Sequence, residues 1–124
     1  MALKITLGKN KSVIVNGAVI TNAGSRATIV VENKADIIRA SEIIQEEEAD
    51  TPVKEVYFLI QSAIIHRNGR GLLHQEIQKR LAVLVAHMGG SDQETMFKVS
   101  NLVSKEEFFK ALMELKVIIE KGKA

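Results

Sequence analysis

Apolar and polar residues alternate in the first forty positions and then shift to a helical period. Leu3, Ile5 and Leu7 alternate with polar neighbours and predict a strand with one buried face. Gly8-Lys9-Asn10-Lys11 reads as a turn. Two β-branched runs follow, Val13-Ile14-Val15 and Ala18-Val19-Ile20, with only Asn16-Gly17 between them. Asn-Gly in that setting predicts a hairpin with a type I′ turn, because both central residues need positive φ. Asn22 to Ser25 reads as a second turn, Arg26 to Glu32 as a further strand, and Ile37 to Arg39 as a short fifth.

Ser41 with Ile43 and Ile44 then suggests a short helical turn leading into an acidic stretch. Thr51-Pro52 is a helix start: threonine caps, and proline suits the first helical position. Val53, Val56, Tyr57, Ile60, Ala63 and Ile64 recur at helical spacing, with Phe58, Leu59 and Ile65 on the flanks. A helix so apolar all round is expected to be central or packed against a partner, and it makes twofold self-association plausible. Asn68-Gly69-Arg70-Gly71 should stop it. A second helix carries Leu73, Ile77, Leu81, Leu84, Val85 and Met88, and Gly89-Gly90 should end it. Ser91 with Glu94 and Ser104 with Glu107 read as capping boxes opening a third and a fourth helix. The last helix presents Phe108, Leu112, Leu115 and Ile119 and should end near Gly122. The expectation is an α+β chain: a small N-terminal antiparallel β module of about five short strands, then a C-terminal bundle of about four helices. Its parts would be a β lobe at 1–40, an acidic connector at 41–51 and a helical lobe at 52–124.

Composition narrows the chemistry. The 124 residues are 46% apolar, enough for a core, yet only 4% aromatic. There is no cysteine, which excludes disulfides, zinc–thiolate sites and cysteine nucleophiles. His66, His74 and His87 form no metal-ligand pair, and Asn68–Gly71 lacks the glycine spacing and preceding strand of a phosphate loop. Glu46, Glu47, Glu48 and Asp50 lack the alternating ligands of a calcium loop and suit the start of the following helix. No nucleophile, base and orienter can be assembled, so neither an enzyme nor a cofactor is expected. The alternating N-terminus is unlike a signal peptide, and no apolar run is long enough to span a bilayer. A cytoplasmic protein without a membrane or DNA partner is the expectation.

Net charge is only +2, but its distribution is uneven. Lys4, Lys9, Lys11, Arg26, Lys34 and Arg39 face only Glu32 and Asp36 up to residue 40, whereas Glu42 to Asp50 is wholly acidic in its charges. A basic β lobe can hold phosphates. Lysines also protect edge strands from aggregation, and on charge alone that solvated role is the stronger reading. All five aromatics fall in the helical half, so RNA binding would use Lys, Arg and Asn rather than stacking on the sheet. Arg26, whose planar fork could hold a phosphate or a guanine edge, is the leading single candidate; pairing with an acid across the sheet is its structural alternative.

One family resemblance adds a function. Val15-Asn16-Gly17-Ala18-Val19-Ile20, Asn22, Gly24, Arg26-Ala27, Glu32-Asn33, Ala49-Asp50-Thr51-Pro52 and Tyr57-Phe58-Leu59-Ile60-Gln61 resemble the FlbT family of flagellar regulators. The resemblance covers the first half closely and the helices more loosely. It implies post-transcriptional control: association with the 5′ untranslated region of flagellin mRNA, promoting its decay or repressing its translation, with a FlaF-type protein alongside. The family supplies no RNA-contact motif to carry over. Charge and turn chemistry nominate Lys4, Lys9, Lys11, Asn22, Arg26, Lys34 and Arg39. The alternative is a protein adaptor that binds flagellin or a FlaF-type chaperone through an exposed patch built from Phe58, Ile65, Met96 or Phe97.

Overall fold

The computed structural model describes residues 2–121. The chain divides between Ile43 and Ile44 into two compact units, one of strands and one of helices. The α+β expectation holds: five strands precede four helices.

The strands are β1 (Leu3–Leu7), β2 (Ser12–Val15), β3 (Ala18–Thr21), β4 (Ala27–Val31) and β5 (Ile37–Ile38). They form two small antiparallel sheets, β1 with β4 and β3-β2-β5. Alternation sets the register. Ile5 and Leu7 turn inward with Val13, and Leu3, Val15, Ile29, Val31 and Ile37 pack against them. Ile14 and Ile38, opposite each other on β2 and β5, are also fully buried. The hairpin turn is as expected, with φ of 49° at Asn16 and 85° at Gly17. Asn16 does a second job that the pattern did not reveal. Its N–H donates to the Asp36 carbonyl and its Oδ1 accepts the Asp36 N–H, both at 2.8 Å, so the hairpin tip sets the approach to β5.

After β5 the chain makes two single 3₁₀ turns, Ala40–Glu42 and Glu46–Glu48. In each, a glutamate side chain accepts the backbone N–H three residues earlier: Glu42 from Arg39 at 2.8 Å and Glu48 from Gln45 at 2.7 Å. The helices are α1 (Pro52–Ile65), α2 (Arg70–His87), α3 (Gly90–Ser104) and α4 (Phe108–Glu120). Helix α1 starts as its sequence predicts, with Thr51 Oγ1 accepting the Lys54 N–H at 3.1 Å. Both α1 and α3 pack on α2 and α4, closing a four-helix core. Its centre holds Val56, Tyr57 and Ile60 of α1, Ile77 and Leu81 of α2, Met96, Val99 and Val103 of α3, and Leu112, Leu115 and Ile118 of α4. Ile118, rather than Ile119, is the buried residue of the last turn. The expected stop at Gly122 lies outside the described residues.

Three expected helix boundaries move. Helix α1 ends at Ile65, before the Asn68–Gly71 segment, and Gly69 (φ 80°) is instead the flank that opens α2. Arg70 then closes the corner: its Nε donates to the Ala63 carbonyl at 2.8 Å, and its guanidinium lies 5.0 Å from the centre of the Phe108 ring. Ser91 does not cap α3, because Gly89 and Gly90 (φ 64°) bring the backbone into the helix ahead of it. Ser104 does not cap α4. It is the last residue of α3, where its hydroxyl donates to the Ser100 carbonyl and accepts from Gln78 Nε2. The α3 end is a Schellman turn: Glu107 N–H bonds Leu102 O and Glu106 N–H bonds Val103 O, both at 2.9 Å. That geometry puts Glu106, with φ of 58°, where glycine is favoured. Glu106→Gly is therefore expected to raise stability by about 1 kcal/mol, visible as a later urea midpoint with an unchanged m-value.

Candidate nucleic-acid interface

The β1–β4 ladder sorts its side chains into two faces. Lys4 pairs with Val30 and Thr6 with Thr28, and all four are exposed on the face away from Ile5 and Leu7. Thr6 and Thr28 hydroxyls meet at 3.4 Å. At one end of the ladder, beyond Leu7 and Ala27, lie the loops carrying Lys9, Lys11 and Arg26. These loops are laced together. Asn10 N–H donates to Asn22 O at 2.6 Å and Asn22 N–H to Lys11 O at 2.9 Å. Asn22 Nδ2 donates to Leu7 O (2.8 Å) and Ser25 O (2.9 Å), while its Oδ1 accepts the Gly24 N–H at 3.0 Å.

Asn22 is thus committed to the fold by three side-chain hydrogen bonds, which tie together the loops that carry Lys9, Lys11 and Arg26. Asn22→Ala is expected to cost about 1–3 kcal/mol and to speed amide exchange along β1. Lys9, Lys11 and Arg26 come together at this end of the ladder. Lys4 stands on the outer sheet face, while Lys34 lies in the β4–β5 connection and Arg39 directly follows β5.

The electrostatics of the two units contrast. Lys4, Lys9, Lys11, Arg26, Lys34 and Arg39 are all exposed, and among the described residues none forms an ion pair. Arg26 therefore does not take the cross-sheet acid that was its structural alternative. The first acidic residue of the whole chain is Glu32. In the helical unit, by contrast, Lys54, Arg80, Lys98, Lys110 and Lys116 each sit within 4 Å of a carboxylate.

The residues nominated for a protein partner differ in exposure. Met96 is fully buried, because α3 turns the 96, 99 and 103 stripe into the core, and it is no partner contact. Phe97, one step round the helix, is 54% exposed. Phe58 and Ile65 are half-buried on α1. Exposed apolar side chains that were not singled out are Leu72 and Val83 on α2, Val117 on α4, Val30 on β4, and Val19 and Ile20 on β3. The helical ones were readable, since Leu72 and Val83 fall outside the Ile77-Leu81-Leu84 stripe. Among the described residues no group of His, Asp or Glu is placed to hold a metal ion, and no helix is long and apolar enough to cross a membrane.

Fold and surface define a small α+β protein with a strand unit of exposed, unpaired cations among the described residues and a helical unit in which five cations sit against carboxylates. The chain belongs to the FlbT family: the family model described as "Flagellar protein FlbT" matches residues 3–123. A "Probable flagellum biosynthesis repressor protein FlbT" of Caulobacter sp. strain K31 is 31% identical over 121 residues, covering 97% of this chain and 92% of its own. The "Flagellum biosynthesis repressor protein FlbT" of Caulobacter vibrioides strain CB 15 is 28% identical, covering 97% and 86%. A similarly named protein of Rhodopseudomonas palustris is 27% identical, covering 98% and 94%. No solved structure matches the chain.

Proposed function

We propose that this protein regulates flagellum synthesis by gripping the 5′ untranslated leader of flagellin mRNA on its β unit, promoting decay of the message or repressing its translation. Two kinds of support meet here. The relatives are named as repressors of flagellum biosynthesis. The observation that carries the RNA reading is that all six β-unit cations are exposed and lack carboxylate partners among the described residues. Unpaired surface cations keep their full charge for phosphates, and binding releases the counterions of the RNA. With no aromatic on the strands, the grip is to backbone phosphates and base edges. The helical unit is left to recruit a partner or a nuclease.

The test is binding of the purified protein to the flagellin leader and to a scrambled RNA across a salt series. Preferential leader binding that falls steeply with salt supports the reading, and equal or absent binding overturns it. The second reading, an adaptor for flagellin or a FlaF-type chaperone, rests on Phe97, Leu72, Val83 and Val117, exposed on the helical unit. Tight association with either protein, together with no RNA binding, would establish it.

A further inference from the structure

We infer that β3 is the seam of a twofold dimer, in which two copies of the chain join their three-stranded sheets edge to edge. This goes beyond the RNA reading and stands independently of it.

Strand β3 ends the sheet β3-β2-β5, so among the described residues one side of it is unpaired. All four of its residues are exposed, Val19 by 50% and Ile20 by 44%. Natural sheets protect such edges with charge, proline or shortness. The other strands here follow that rule. Strand β1 carries Lys4, β4 is flanked by Arg26 and Glu32, and β5 has only two residues. Strand β3 has neither charge nor proline: none occurs from Ser12 to Ser25.

The hydrogen-bond alternation selects the register. Asn22 donates its N–H to Lys11 on the β2 side. Alternation therefore turns the backbone groups of Ala18 and Ile20 towards β2, and those of Val19 and Thr21 outward. A twofold axis normal to the sheet keeps like faces together, so each residue opposes one of the same face. Centring the axis on Ile20 meets every requirement at once. Val19 of each copy faces Thr21 of the other, which gives four backbone hydrogen bonds from the groups now pointing outward. The two Ile20 side chains meet at the central, non-hydrogen-bonded pair, where opposed Cα atoms lie about 4.5 Å apart.

A second copy is the occupant this edge fits. Val19, Ile20 and Thr21 supply both halves of the seam, as an isologous contact requires. Two copies of a basic unit would ordinarily repel, yet the uncharged run keeps like charges off the seam. The self-association expected of the apolar α1 is not needed to cover that helix, which is already packed on α2 and α4.

Three measurements on the full chain test the seam. Sedimentation or light scattering should show a dimer that dissociates on dilution. Val19→Pro removes only an outward N–H and keeps the β2–β3 ladder, as proline on an edge strand does. It should weaken association at least tenfold with an unchanged circular dichroism spectrum. The protein has no cysteine, so Ile20→Cys installs a single thiol that can pair only between molecules. A Cα spacing of about 4.5 Å falls in the disulfide range. Mild oxidation should therefore give a covalent dimer, reversed by thiol reductant. Val30→Cys, on a side chain slightly more exposed than Ile20 (49% against 44%), should cross-link far less. Should Val19→Pro misfold, the contrast between the two cysteines still decides. A monomer at all concentrations overturns the proposal. So does a dimer whose Ile20→Cys variant cross-links no better than Val30→Cys.

Discussion

Replacing Gln61 with alanine is expected to cost about 2–4 kcal/mol of stability, read from urea unfolding followed by the helical signal at 222 nm. Gln61 is the buried polar side chain of α1, 4% exposed. Its Oε1 accepts the N–H of Ile44 and its Nε2 donates to the carbonyl of the same residue, each at 3.0 Å. One amide thus satisfies both backbone groups of the residue with which the helical unit begins. Truncation leaves that donor and acceptor without partners and opens a small void beside α1. The chemistry, more than the size, should decide the outcome. Gln61→Glu keeps the volume and can still accept from the Ile44 N–H, but an ionised carboxylate faces the Ile44 carbonyl. Its deficit should be smallest at acid pH, where the carboxyl carries a proton it can donate, and should grow as pH rises. An alanine variant as stable as the original would show that these two bonds contribute nothing.

The other large effect concerns RNA. Replacing Lys9, Lys11 and Arg26 together with alanine should weaken leader binding on the order of 100-fold near 0.1 M salt, and flatten the salt dependence by about two units of log–log slope. The side chains of all three are solvent-exposed and without ion pairs among the described residues, so removing them should leave the melting temperature within about 2 °C of the original. Lys98→Ala is the matching control. That lysine is spent on Glu114 at 3.1 Å in the helical unit, and its loss should leave RNA affinity unchanged. Equal losses in the triple variant and the control would remove the β unit from the interface.

How much of this was readable in advance differs by element. The hairpin could be read because Asn16-Gly17 has few alternatives, and both residues do take positive φ. Helix α1 could be read because Thr51-Pro52 marks its start and its apolar stripe is long. The starts of α3 and α4 could not, because serine near a glutamate is ambiguous: the hydroxyl can cap a new helix or bond back into the old one. Ser104 bonds back, and the real stop is Glu106 in a left-handed conformation that its residue type conceals. Met96 and Phe97 illustrate another limit. Neighbouring apolar residues on one helix compete for the core, and only packing against α2 and α4 decides that methionine goes in and phenylalanine stays out. The cations of the β unit could be counted from sequence. That they lack carboxylate partners among the described residues could not, since it depends on where the acids of distant segments come to lie.

The order of the two units along the chain bears on the life of the nascent protein. Every strand pairing of the β unit is complete within the first 38 residues, and its longest-range partners, Leu3 and Val31, are only 28 apart. At roughly 5–20 residues per second, the β unit is synthesised seconds ahead of the helices that follow it. Its pairings use no residue of the helical unit, so the strand module can form while the helices are still being added. The β unit therefore leaves the ribosome first and carries within itself every residue that its strand pairings need.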